Sequence, residues 1–149
     1  RVFMLEHRLS ERLTSYWNTL RKDLEMPDFG HFNASSIADI WQQCVLFTVS
    51  PEVDNKPYVL NFYQIGDRLR SVYGNDMVGR SFNTSQRHFQ GAAIVRRVEE
   101  IISKPAPMND MGQFVNERSK VVKYRSVLLP FGRDHRVTHV ITGLSWREF

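Results

Sequence analysis

The stretch Tyr58–Phe82, YVLNFYQIGDRLRSVYGNDMVGRSF, decides the reading of this chain. Its first part, Tyr58 to Ile65, reads as a β-strand of aromatic and β-branched residues. The chain turns at Gly66 and continues as a short helix, Asp67 to Tyr73. It breaks at Gly74-Asn75 and again at Gly79. Three glycines inside one strand–helix–turn unit imply a chain folded tightly over one face of a sheet.

Working upstream, Cys44 to Val49 is apolar and largely β-branched, which makes it the first strand, with Pro51 to Pro57 as the hairpin loop before the second. Ser36-Ile37-Ala38-Asp39 resembles a capping box that opens a short helix to Gln43, with Ile37, Ile40 and Trp41 on its buried side. Residues 5–24 have helical period. Leu5, Leu9, Leu13, Tyr16, Leu20 and Leu24 form one stripe with Trp17 beside it, and Pro27 stops the helix. Such a stripe must pack on this chain's own sheet or on a second copy.

Downstream, Asn83 to Gln86 is polar. Phe89, Ala93, Ile94, Val98, Ile101 and Ile102 recur at helical spacing and predict a long helix from Arg87 to Ser103, ended by Pro105 and Pro107, with Arg96, Arg97, Glu99 and Glu100 on its outer face. Three strands follow: Met111–Glu117, Lys120–Phe131 and Val137–Trp146. Gly132-Arg133-Asp134-His135 turns the chain between the last two. Helix, two strands, short helices, a long helix and three strands make an α+β domain around one five-stranded antiparallel sheet. The short helices and the long helix cover one face, which leaves the other to the N-terminal helix. The expected division is residues 1–26 as an amphipathic cap or dimerisation helix and residues 27–149 as the sheet domain.

Composition fits. A chain of 149 residues can bury a real core, and 42% apolar residues argue against disorder. Ten Phe, five Tyr and three Trp predict an aromatic core or pocket. One cysteine excludes an internal disulfide and any multi-cysteine metal site, and it suits a reducing, cytoplasmic setting. The net charge of +4 is mild and its basic residues are interleaved with acids, so no nucleic-acid partner is expected. No apolar run reaches the ~20 residues of a membrane helix. No secretory signal is legible in the residues given, which open on Arg1. Asn33-Ala34-Ser35 and Asn83-Thr84-Ser85 match the glycosylation pattern, which is short enough to arise by chance.

The order of elements is that of the PAS fold, and the motifs extend the likeness. Tyr16-Trp17 on the leading helix, the capped segment Ser36 to Trp41, Ile65-Gly66-Asp67-Arg68-Leu69, Tyr73-Gly74-Asn75-Asp76-Met77-Val78-Gly79-Arg80 and the late Leu128-Leu129-Pro130-Phe131 stand in order. The closing strand carries Gly143-Leu144. Over residues 9–147 the chain resembles the single-domain bacterial PAS family common in alphaproteobacteria. Asp67 departs from it, standing where that family usually has a small polar residue. The resemblance implies an intracellular sensory or regulatory module in bacterial signalling that couples a pocket or a partner to the sheet and its flanking helix.

The chemistry of particular residues narrows this. Light-sensing PAS domains carry a reactive cysteine in a Gly-Arg-Asn-Cys-Arg-Phe-Leu-Gln pattern. Here Gly79-Arg80-Ser81-Phe82 puts a phenyl ring in the cysteine's place, so flavin adduct chemistry is not expected. Haem-binding members use a histidine on the middle helix, and His88 falls on that helix's first turn, where a surface or capping role fits it better than a pocket-facing one. His7, His31, His88, His135 and His139 are dispersed, so no metal is expected. No nucleophile elbow or paired carboxylate suggests an enzyme. The basic cluster Arg118, Lys120, Lys123 and Arg125 reads as solvated hairpin charge, with an acidic partner or an anionic messenger as the alternative.

Two functional readings remain. In the first, the chain is non-catalytic and signals by protein–protein contact, as an expected homodimer or with a signalling partner, through Leu9, Leu13, Tyr16, Trp17 and Leu20. In the second, it senses a small, mostly apolar molecule in an aromatic pocket. The candidates for that pocket are Phe47, Asn61, Tyr63, Arg80, Phe82, Phe89, Phe114 and Tyr124.

Overall fold

The structure, a computed structural model of the chain, describes residues 2–50, 58–73, 78–83, 92–116 and 118–149. Its helices are α1 (Val2–Arg21), α2 (Ala38–Trp41), α3 (Asp67–Tyr73), α4 (Ala92–Val95) and α5 (Val98–Ser103). Its strands are β1 (Cys44–Ser50), β2 (Val59–Ile65), β3 (Ser81–Asn83), β4 (Met108–Val115), β5 (Val121–Arg133) and β6 (Arg136–Glu148). They form one antiparallel sheet in the order β3-β2-β1-β6-β5-β4. The α+β class and the sheet stand as expected, with six strands instead of five.

The extra strand is the end of the opening stretch. Ser81–Asn83 pairs with Val59–Asn61. The strand expected from Met111 begins at Met108, directly after Pro107, so that proline precedes the strand as its fixed φ allows. The expected long middle helix is, in its described part, α4 and α5 with a turn at Arg96-Arg97; its predicted start, with His88 and Phe89, lies outside the described residues. α1 ends at Arg21, before Pro27, because Lys22 takes a left-handed conformation (φ 55°). The capping box is not formed. Asn33 instead accepts from the backbone N–H of Ser35 (3.1 Å) and opens a 3-10 turn, Ala34–Ile37.

Register separates the two faces of the sheet. Cys44, Gly143 and Val127 lie side by side across β1, β6 and β5, and share one face. α1 crosses that face. Its Leu9, Leu13 and Trp17, spaced by four, are buried against β5 and β6. Gly143 makes the close approach possible, since a Cβ there would overlap the Leu13 methyl. The Trp17 indole N–H donates to the Pro130 carbonyl at 2.6 Å, satisfying a buried donor. Tyr16 and Leu20 pack at the rim of the same layer. Burying each such Leu contributes about 1.5–3 kcal/mol. Leu9, Leu13 and Trp17 are therefore core of this chain, while Leu24, expected on the same stripe, lies beyond the end of α1 and is exposed.

The segment after α1 extends that layer. Phe29 stacks on His139 (3.8 Å between centroids, 5°) and meets Phe131 edge-on, while Phe32 packs on Phe131 and Trp41. Burial holds the His139 imidazole below its ordinary value, with the Asp28 carboxylate opposing it. The folded state thus favours the neutral ring. The resulting stability is complete above the unfolded-state value of about 6.5 and is lost as pH falls through it towards the lower folded value. The thermal midpoint is expected to drop between about pH 7 and about pH 5, and to drop less in His139→Gln. Parallel curves for the two proteins would contradict this.

Candidate functional site

The other face of the sheet carries the helices of the middle of the chain. Val45, Phe47 and Val49 alternate onto it from β1, and Leu60, Phe62 and Phe82 join them from β2 and β3. α3 lies over the β6 end, with Arg68 above the Trp146 ring (5.5 Å). The buried Thr142 hydroxyl on β6 donates to the Ile94 carbonyl of α4 at 3.3 Å. This layer is what the glycine-punctuated stretch folds over.

Two groupings form on this face. The first is aromatic: Phe47 meets Phe62 edge-on at 5.8 Å, and Phe62 meets Phe82 at 5.5 Å. Arg80 lies over the Phe82 ring at 5.4 Å, with its own side chain at the surface. The second is polar and sits towards β4. Asp110 is buried, with Arg97 Nε at 3.3 Å and Arg96 Nε at 3.6 Å from its two carboxylate oxygens. Tyr124 is buried beside them and its phenol is raised by burial and by the Asp110 charge, with Arg96 opposing. Gly112, directly across from Tyr124, leaves room for that phenol: a Cβ would stand 2.7 Å from the hydroxyl oxygen. Phe114 follows at 6.1 Å from the Tyr124 ring.

Five of the eight expected pocket residues, Phe47, Arg80, Phe82, Phe114 and Tyr124, are placed on or beside this face. Phe89 lies outside the described residues. Asn61 and Tyr63 do not join them. A register shift between Leu46 and Phe47 sets Phe62 opposite Phe47 and leaves Tyr63 out of the pairing. Tyr63 is 62% exposed. Asn61 shares the α1 face with Thr48, and accepts from the Ser81 hydroxyl. Alternation alone, without the bulge, hides this.

Sequence reasoning missed Asp110, Thr142 and the inward reach of Arg96 and Arg97. An acid in the middle of an otherwise half-apolar strand was the available signal for Asp110. The arginines read as outer-face residues because the turn that interrupts the middle helix was not legible.

A family model described as PAS domain matches residues 5–145. The chain belongs to the PAS domain family. No curated protein matches it. Among solved structures, this PAS domain is similar to a variant of RsLOV (15% identity, TM-score 0.43, 77% of this chain and 66% of that one). The LOV protein of Rhodobacter sphaeroides is 14% identical, with TM-score 0.42 and the same coverage of 77% and 66%. The PAS domain of an HTR-like protein from Haloarcula marismortui is 11% identical (TM-score 0.39), covering 98% of both chains.

The single thiol of this PAS domain is remote from the aromatic grouping. Cys44 lies in the α1 layer, buried, its sulfur 3.5 Å from the Ile40 carbonyl, and burial pushes its pKa up to about 12. It is a protonated thiol on the wrong face to attack anything held beside Phe47 and Phe82. Among the described residues, no three His, Cys, Asp or Glu side chains gather as a metal site, and no helix is long and apolar enough to cross a membrane.

Proposed function

We propose that this PAS domain is a non-catalytic sensory module. It holds a small, mostly apolar molecule on the helix-covered face of its sheet and reports occupancy to α1. The observation that carries this is a continuous physical link between the two faces. Phe62 packs on Phe47, Phe47 pairs with Val140 and Val140 with Pro130, whose carbonyl accepts from the Trp17 indole of α1. A molecule that parts Phe47 from Phe62 acts on the strands on which α1 is seated. Aromatic rings supply its apolar walls, and the Asp110–Tyr124 grouping supplies the few polar atoms that would orient it. The buried, protonated Cys44 makes non-covalent binding the supported mode. Freshly purified protein is expected to show native mass above that of the chain, with the excess lost in a Phe62→Trp variant that adds bulk between these rings. A folded wild type with only the chain's mass, unaltered by that substitution, would sink the reading.

A second reading, signalling by contact with a partner or a second copy, has its own support at β4. This strand ends the sheet among the described residues and exposes Met111 and Val115 on the α1 side (60% and 65%). Lys123 and Arg147 lie on the same side. If two copies pair through this edge, Met111→Lys with Val115→Lys should convert a dimer to a monomer in sedimentation while the fold persists. An unchanged mass would remove this reading.

A further inference from the structure

The basic run at the β4–β5 hairpin divides in the structure. Arg118 pairs with Glu148. Lys123 and Arg125 turn to the α1 side of β5, where Arg147 joins them from β6. Arg125 stands at the border with α1, whose Glu11 lines the same groove. Lys123 and Arg147 lie further out, both exposed and directly opposite one another. Like charges so placed oppose the pairing of their strands. Both sit over the exposed ring of Phe149, 4.9 and 5.3 Å from its centroid, which attracts them but carries no negative charge. The acids of β4, β5 and β6 are Asp110 and Glu148. By register both fall on the other side of the sheet, where Arg97 and Arg118 hold them.

We infer that this end of the sheet is the docking surface for an acidic, extended segment of a partner protein, added as a further strand beside β4. The inference rests on the second reading above, contact at β4, and names what makes that contact. β4 ends the sheet among the described residues, so half of its backbone N–H and C=O groups point away from β5 and can pair with such a segment. The side chains of the added strand alternate, and those on the α1 side continue the rows of the sheet. One row is Gln113, Lys123 and Arg147. A glutamate beside Gln113 stands two strands, about 10 Å, from Lys123, a gap that the two long side chains close. The rows on either side begin at the exposed Met111 and Val115 and take apolar side chains. The segment therefore alternates apolar, acidic and apolar on its docked side. A second copy paired antiparallel through β4 brings no acid to this side and doubles its positive charge. An anionic membrane answers the charge but offers no backbone to pair with β4.

The test is an amide chemical-shift titration of the whole chain with a capped peptide, Thr-Val-Thr-Glu-Thr-Val-Thr, and with its counterpart carrying Gln for Glu. Vesicles of phosphatidylglycerol probe the membrane alternative. Saturable shifts are expected with the acidic peptide at residues 109–115 and 121–125. Affinity should fall about tenfold with the Gln peptide, and by at least as much in Lys123→Glu. That substitution sets an opposite charge across from Arg147, so the fold is kept, and Arg147→Gln serves as a second variant. Equal affinity for the two peptides, or no change in either variant, overturns the charge pattern while contact at β4 stands. Shifts at residues 121–125 and 145–149 with β4 silent overturn strand addition. Shifts with the vesicles alone assign the surface to a membrane and overturn the peptide. Silence with the acidic peptide overturns the docking surface. If the silent protein is a dimer that Met111→Lys with Val115→Lys disperses, the second reading survives with a second copy as the occupant.

Discussion

Leu13→Glu is expected to unfold the domain. Leu13 is wholly buried between α1 and the sheet, beside Gly143 and Val127. A carboxylate there is buried in the hydrophobic core, and the site loses its apolar filling as well. Leu→Ala at such a position costs about 2–5 kcal/mol, and an unpaired buried charge adds several more. The total approaches the 5–15 kcal/mol that typically holds a domain of this size together, taken as an order of magnitude. The circular dichroism of Leu13→Glu should therefore be that of an unfolded chain. Were the apolar stripe a contact with a second copy, one of the two packings the sequence allows, the same substitution would separate a dimer into folded monomers. The burial of Leu9, Leu13 and Trp17 removes that expectation, since the substitution strikes the core first. A folded, monomeric Leu13→Glu would contradict the packing of α1 described here.

Gly66→Ala is the second large effect. Gly66 follows β2, and its N–H donates to the Cys44 carbonyl at 2.8 Å. The Gln42 carbonyl accepts from Arg68 N–H at 3.1 Å, which ties the start of α3 to the end of the α2 segment. A Cβ at Gly66 would run into the backbone carbonyls of both Trp41 and Gln42. Backbone cannot swing aside as a side-chain tip can, so the cost is expected at the upper end of overpacking, about 3 kcal/mol. It should appear as a lower urea midpoint with an unchanged slope. Gly79 is the contrast: a Cβ there meets nothing, but φ is +83°. Its substitution acts through backbone conformation alone. Equal midpoints for wild type and Gly66→Ala would contradict the close approach.

These two positions show how far the sequence carries. The opening stretch, with its strand, turn at Gly66 and short helix, was legible because glycine and the β-branched run each have a local physical cause. The leading helix was legible from its period, but not what its apolar stripe packs on, because a partner and the chain's own sheet demand the same pattern. β3 was missed because three residues carry no period. The extent of β4 was obscured by Met108-Asn109-Asp110, which lack strand propensity and are held by pairing with Ser126–Leu128. Phe47 and Tyr124 were legible as aromatic residues on strands, and Phe82 as an aromatic residue at the end of the opening stretch. Asn61 and Tyr63 were misplaced because one bulge reverses the alternation, which only the paired strand reveals. The buried Asp110 with its two arginines depends on a turn at Arg96-Arg97 that no local signal announces.

The central claim is that the helix-covered face and α1 are coupled through β1, β6 and β5. Amide hydrogen exchange of α1, compared between protein as purified and protein refolded after its bound molecule is stripped, tests it most directly. Slower exchange across residues 9–21 in the loaded form, abolished in Trp17→Phe without loss of the bound molecule, is the predicted result. Identical α1 exchange in loaded and stripped protein would contradict it.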